Sequence, residues 1–399
     1  MKPSFILLVI VAALCFTTCK QQEKTVEESS IENDSVCEQI TIIEVDLSGS
    51  YPQKDLFLQD IAEVRYVPLE TSEQSLLKSI RFVAMRDDKI IITDFSHQVL
   101  VFDSAGRYIS KISRKGPGPS DYQSIAYTAV DFDKQLVYIE DVMGIKAYDF
   151  DGYLIKKLPK PDYTSASMLY VWDSERLIAY YETNGMKEAG DTLLGNYFFI
   201  NTETGARAPV GINIPDPASN SVTEIRDGMY RSRSVPIYTM LKSDGKVVIS
   251  DYIYPSVYEY SPNGLNLIIE KKYGDDMNCL SSVYLVSDKY IIFRTIKTSG
   301  HDKIENYKLE EVHDFIYNRL TDAITEGGIY NRDWKVAGAC FVEGWGNDLP
   351  KNTLVQSIRI DNLVELNEKG KLSGPLKALA DTIDPDSNDI LMIATLNSK

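Results

Sequence analysis

Five times along the chain, an apolar stretch with strand-like alternation runs into a polar turn and then into a second apolar stretch. The copies are 99–106 (VLVFDSAG), 145–152 (IKAYDFDG), 198–205 (FFINTETG), 257–264 (VYEYSPNG) and 315–322 (FIYNRLTD). Their last residues, at 106, 152, 205, 264 and 322, are 46, 53, 59 and 58 positions apart. Four are Gly and the fifth is Asp, which suits a turn that needs positive φ. Another apolar stretch precedes each copy: 90–94 (IIITD), 137–141 (VYIED), 177–181 (LIAYY), 247–251 (VVISD) and 290–294 (YIIFR). A further one lies before these, as at 125–131 and 235–241.

Each unit therefore reads as four short strands, and such a unit recurring at this interval is the signature of a β-propeller blade. A solenoid would repeat at shorter, more regular intervals, and a sandwich would not repeat. The strand-bearing region, 62–396, is long enough for about six units at the mean interval of about 54 residues. The expected fold is all-β, a six-bladed β-propeller. Strands at 62–70 (AEVRYVPLE) and 388–396 (NDILMIATL) should pair in one blade and close the ring, because an unpaired edge invites aggregation. Apolar residues at 312, 315, 316, 320, 323 and 324 have helical spacing, but the repeat assigns strands there. A short helix is expected at 375–383, where Pro375 suits a first turn.

The N-terminus reads as an address. Met1-Lys2 precedes twelve apolar residues, 5–16 (FILLVIVAALCF), too few to span a bilayer but the right length for the core of a signal peptide. Thr17-Thr18-Cys19 follows and is similar to a bacterial lipobox, with Thr18 where Gly, Ala or Ser is usual. Three segments are expected: a lipoprotein signal peptide at 1–18, an acylated Cys19 with an acidic tether at 19–45, and the propeller at 46–399. Residues 20–39 carry six acidic residues and two Lys and cannot bury a core. Cys279 and Cys340 could form a disulfide or sit as two small buried residues. The partner expected through Cys19 is a membrane. Nucleic acid is excluded by 42 Lys+Arg against 58 Asp+Glu, a net charge of −16, since phosphate binding needs clustered cations.

The lipobox end at Cys19 joins 64–71 (VRYVPLET), 115–122 (KGPGPSDY), 376–380 (LKALA) and 386–396 (DSNDILMIATL) as points of likeness. In these the chain resembles the six-bladed β-propeller lipoproteins of Bacteroidota, a family loosely similar to NHL-repeat propellers. Ser120 and Asp389 stand where that family usually has an acidic residue and a Pro. The resemblance implies the architecture and a cell-envelope, outer-membrane location. Many such proteins neighbour glycan or nutrient uptake systems, which is an association rather than a mechanism.

No GxSxG elbow, HExxH, P-loop or dinucleotide fingerprint occurs, and three His give little material for a metal site. No cofactor, metal or catalytic residue is expected. The acidic pairs Asp131/Asp133 and Asp275-Asp276, and His301-Asp302 and His313-Asp314, read as loop polarity rather than chemistry. Trp172 sits in a strand and reads as core; Trp334 and Trp345 flank loops and could stack on a sugar. The expected ligand-binding loop is 114–122 (RKGPGPSDY). Arg114 and Lys115 give it charge, Gly116 and Gly118 allow close approach, and Tyr122 ends it. Met229–Ser234 (MYRSRS), read as the equivalent loop later in the chain, adds Arg231 and Arg233, and Trp345 completes the set. The function read from this is a non-catalytic binding or scaffolding propeller for an oligosaccharide, a peptide or a partner protein. The alternative is a channel-centred enzyme of the lactonase or lyase type.

Overall fold

The computed structural model describes residues 42–112, 114–158, 168–181, 196–212, 214, 221–226, 229–234, 239–243, 245–252, 254–273, 279–299, 308–335 and 347–398. Five sheets follow one another along the chain, each with four consecutive antiparallel strands, and the fourth gains a fifth strand from nearer the N-terminus. The first runs from Ile80–Arg86 through Lys89–Asp94 and Val99–Asp103 to Tyr108–Ile112. The second begins at Tyr127–Asp131 and ends at Leu154–Leu158. The third spans Met168–Val171 to Arg207–Pro209, the fourth Met240–Ser243 to Gly264–Lys272, and the fifth Cys279–Val286 to Ala323–Glu326. The sixth joins the two ends of the chain in the order Thr353–Ile358, Ile390–Leu396, Ala62–Pro68. These sheets are the blades of a six-bladed β-propeller.

The repeated turn explains how blades stack. Asp103 Oδ1 accepts the amides of Ala105 and Arg107, and Asp149 Oδ1 accepts those of Asp151 and Tyr153. Asn201 does the same for Glu203 and Thr204. The chain then turns through positive φ at Gly106, Gly152, Gly205, Gly264 and Asp322, the five positions the repeat marks. A Cβ on Gly106 would lie 2.2 Å from the Pro68 carbonyl, and one on Gly152 would lie 3.2 Å from that of Lys111. The turn of one blade thus seats on the outermost strand of the blade before it. By that equivalence Ala62–Pro68 is the outermost strand of the sixth blade.

Closure is as expected. Ile390 pairs with Pro68 and Leu396 with Ala62, while the other side of Ile390–Leu396 pairs with Thr353–Ile358. The 308–326 region is also strand, with Lys308–Asn318 and Ala323–Glu326 paired from Asn318↔Ala323. There the blade's ladder outweighs the helical spacing. The short helix is Gly374–Ala380, with Pro375 in its first turn. A second helix, Ile360–Glu368, is a feature the repeat does not encode. Both lie between two strands of the sixth blade and bury Leu363 and Leu376 against Leu58 and Met392.

Residues 42–61 form a strap that the repeat also leaves unmarked. Ile43–Asp46, which straddles the expected 45/46 boundary, pairs in parallel with the outer strand of the fourth blade, Ile43↔Ile269 to Asp46↔Lys272. Gln53 bridges Glu326, and Leu56–Phe57 pairs with Ile329–Tyr330. A single turn of helix, Leu58–Ile61, then leads into Ala62–Pro68.

One expectation is corrected. Met229–Ser234 is a strand rather than a loop, hydrogen-bonded to Ser221–Arg226 in a hairpin between the third and fourth blades, with Arg231 opposite Glu224 and Arg233 opposite Val222. The apolar-polar alternation of 221–226 gives that segment a partner, so it does not resemble the Gly-Pro loop at 114–122.

The core lies between neighbouring blades. Phe82 and Val101 of the first pack with Val130, Ile139 and Tyr148 of the second, all essentially buried. At about 1.5–3 kcal/mol for each large side chain removed from water, these inter-blade faces are the main driving force for the ring.

Candidate functional site

The first strands of the first four blades end in polar segments that meet at one cavity. These segments are 86–88 (RDD), 131–134 (DFDK), 172–175 (WDSE) and Lys242 with Gly245, and they are joined by 347–351 (NDLPK), which precedes the strand Thr353–Ile358. They gather around a cavity of about 310 Å³, to which five of the six blades contribute. Asn347-Asp348 is held in place by the first blade. Val83 donates its amide to Asn347 Oδ1, Met85 donates to the Asp348 carbonyl, and Asp348 donates to Val83.

Lys242, from the fourth blade, reaches Asp348 with Nζ 2.8 Å from Oδ2. Both side chains are about nine-tenths buried (exposures 10% and 9%), so this ion pair forms the floor of the cavity. Around the rim, Arg86 pairs with Asp133 at 3.1 Å and lies over the Phe132 ring, 5.3 Å from its centroid. Asp131 Oδ1 accepts the Lys134 amide, and Lys134 Nζ donates to the Ser174 carbonyl. Burial pushes the Asp173 carboxyl up, but hydrogen bonds from Arg176 and the Glu175 amide outweigh that and hold it below its usual range. Lys351 pairs with Asp288 at 2.9 Å. The lining charges balance, four cationic and four acidic.

Trp172 is the aromatic wall. It is half-buried, 4.9 Å from Tyr260 in an edge contact and 6.1 Å from Phe199. It follows the strand Met168–Val171 rather than lying in it, and one side packs on the core while it also lines the cavity.

The 114–122 loop lies at the other end of the strand Tyr127–Asp131, since it leads into that strand's start while the cavity forms at its finish. Its groups are largely committed to the fold. Arg114 Nε donates to the Gly152 carbonyl at 2.7 Å. Gly116 and Tyr122 exchange main-chain bonds with Tyr122 and Arg114, and the Gly118 amide donates to Asp121 Oδ2. Lys115 bridges Tyr122 through the backbone. Tyr122 is fully buried, its hydroxyl donating to the carbonyls of His97 and Ile112, and burial pushes its pKa well up. Arg231 and Arg233 are placed by backbone on the separate hairpin, so the structure does not bring them into the 114–122 loop.

Trp345, Cys19, Asp275-Asp276, His301-Asp302 and Cys340 lie outside the described residues. Trp334 packs on the core cluster of the sixth blade. His313 Nδ1 meets Glu326 at 2.6 Å, and Asp314 forms a buried pair with Arg294 at 3.0 Å. Among the described residues no three His, Cys, Asp or Glu side chains group as a metal site requires, and no helix is long and apolar enough to cross a membrane.

Sequence reasoning missed Lys242, Asp348 and the cavity role of Trp172. For Lys242 and Trp172 the available signal was positional: the first strands of four blades run into charged segments that meet at one cavity.

Closed ring, polar floor and aromatic wall together define a six-bladed propeller with a mixed polar and aromatic axial cavity. The chain belongs to the family described as Domain of unknown function (DUF4934), which matches residues 41–395. Among solved structures it is similar to a Bacteroides fragilis protein described as exported, at 15% identity and a TM-score of 0.64, over 90% of this chain and 100% of that one. That likeness shows a shared fold. BamB from Moraxella catarrhalis aligns over 85% of this chain and 99% of its own at 11% identity, with a TM-score of 0.38, too low to establish one. No curated protein matches the sequence.

Proposed function

We propose that the protein is a lipid-anchored, extracytoplasmic binding propeller that takes a small polar ligand in the axial cavity and does not transform it. The observation that carries this is the convergence of five blades on one pocket of about 310 Å³, closed below by the Lys242–Asp348 pair. Sites of this kind are concave, largely pre-formed and furnished with a few placed polar groups. Carboxylates at the rim are engaged by Arg86 and Arg176, which favours holding a ligand over proton transfer. The apolar run ending at Cys19 supports the anchor, and an outer-membrane position fits the family likeness and the similarity to an exported protein.

The test is a thermal-shift and calorimetric screen of the wild type beside Ser174→Trp. Ser174 is exposed at the rim, so this change obstructs the cavity without removing a packing group. A compound that stabilises the wild type and not the variant supports the site. Binding that ignores the variant places the site elsewhere, and conversion of the bound compound would show an enzyme. Mass spectrometry of the mature N-terminus should find acylated Cys19; an unmodified terminus elsewhere removes the anchor.

A further inference from the structure

Resting on that cavity reading, we infer that the ligand is an uncharged oligosaccharide. A net charge of opposite sign in the site favours a charged ligand, and the charges lining this cavity sum to zero. Its four cationic and four acidic side chains cancel: Lys242 pairs with Asp348, Arg86 with Asp133, Lys351 with Asp288 and Asp173 with Arg176, while Asp131 accepts the Lys134 amide and the Lys134 ammonium donates to the Ser174 carbonyl. An anion or cation reaching the floor would have to displace a partner of the Lys242–Asp348 pair, leaving a charge stranded where both side chains are about nine-tenths buried. Hydroxyl groups impose no such exchange. Each can donate to a carboxylate lone pair or accept from an ammonium proton that the ion pair leaves over.

The second ground is the mixed character of the walls. Trp172 and Phe132 present aromatic surface beside these polar groups. A sugar ring has the same two-sided chemistry, hydroxyls around its edge and a patch of C–H bonds on its face. Stacking that patch on an aromatic while the edge is hydrogen-bonded fits both halves of the lining at once. A flat apolar ligand would leave the charged rim unsatisfied, and a small ion would leave Trp172 unused.

The experiment is calorimetry with linear gluco-, xylo-, manno- and galacto-oligosaccharides of two to six residues. Oligogalacturonates and chitosan oligomers serve as charged counterparts. Wild type, Trp172→Ala and Ser174→Trp are compared, each checked for an unchanged melting curve. The inference expects at least one neutral series to bind, about tenfold more weakly to Trp172→Ala, and not to Ser174→Trp. If Trp172→Ala does not fold, Trp172→Phe replaces it, with a smaller loss expected. Binding of charged oligomers alone, still blocked by Ser174→Trp, overturns the neutral class and leaves the cavity standing. Binding insensitive to Ser174→Trp overturns both. No binding by any neutral series overturns the inference, with the cavity itself judged by the broader screen.

Discussion

At the scale of single residues, the polar groups that look most chemical in the sequence are mostly joinery. Asp94, fully buried at the end of a second strand, accepts the amides of Lys78, Ser96 and Gln98. Asp141 holds the equivalent place in the next blade, accepting the Gln123 and Met143 amides and the Lys146 ammonium. The terminal Asp of IIITD and VYIED thus fixes the loop around it, which the repeat hinted at but alternation alone could not explain. His97 is more informative. It sits at φ 65°, and its Nδ1 accepts the Ile125 amide across two blades. Burial lowers its pKa first, with Lys115 and Arg81 adding repulsion to the imidazolium. The folded state therefore binds this proton less readily than the unfolded chain. The junction is at full strength above the unfolded value of about 6.5 and loses stability as pH falls below it. His97→Asn, which tolerates left-handed backbone, should flatten the drop in melting temperature between pH 7 and pH 5. Parallel slopes for the two proteins would dismiss His97 as the sensor.

At the scale of elements, the repeated turn was legible because its chemistry is local: an Asx-type cap, then a residue at positive φ. The structure adds that these turns are not equal. Gly106 faces the Pro68 carbonyl at 2.2 Å from where a Cβ would be, whereas a Cβ on Gly264 would meet nothing within 4 Å. Gly264→Ala should cost only backbone strain, about 1–2 kcal/mol. Gly106→Ala adds a clash at a blade junction and should cost about 3 kcal/mol or more. Chemical denaturation of both variants measures the gap, and equal losses would mean that the junction relaxes freely. The helix Ile360–Glu368 and the hairpin at 221–234 were not legible in this way. Each is an insertion between repeat strands, outside the period that made the blades visible.

For the whole molecule, ring size and closure followed from counting turns and from two orphan strands at the ends of the chain. The cavity did not, because its walls come from turns as far apart in sequence as Arg86 and Asp348. Only closure of the ring brings them together. The strap escaped notice for a related reason: its pairings are two to four residues long, too short for a periodic signal. Closure can be tested directly. Removing 390–399 takes away the middle strand of the sixth blade, exposing two edges and opening the core at Met392. That truncation should not fold as a soluble cooperative unit. Removing 42–55, which takes the parallel pairing of Ile43–Asp46 and the buried Val45 and Leu47 but no blade strand, should lower the melting temperature and leave a ring. A cooperative melt from the first truncation would show that five blades suffice.

The pairing of Ala62–Pro68 with Ile390–Leu396 also sets a timetable. The earliest blade strand to leave the ribosome has its ladder partner among the last residues made. At about 5–20 residues per second, the two are separated by roughly 20–60 seconds of synthesis. Five blades can take shape in that interval while the sixth has an open edge and its closing contact waits on a very long loop, a topology that folds slowly. The ring therefore closes only once Ile390–Leu396 has been made, however early the other blades take shape.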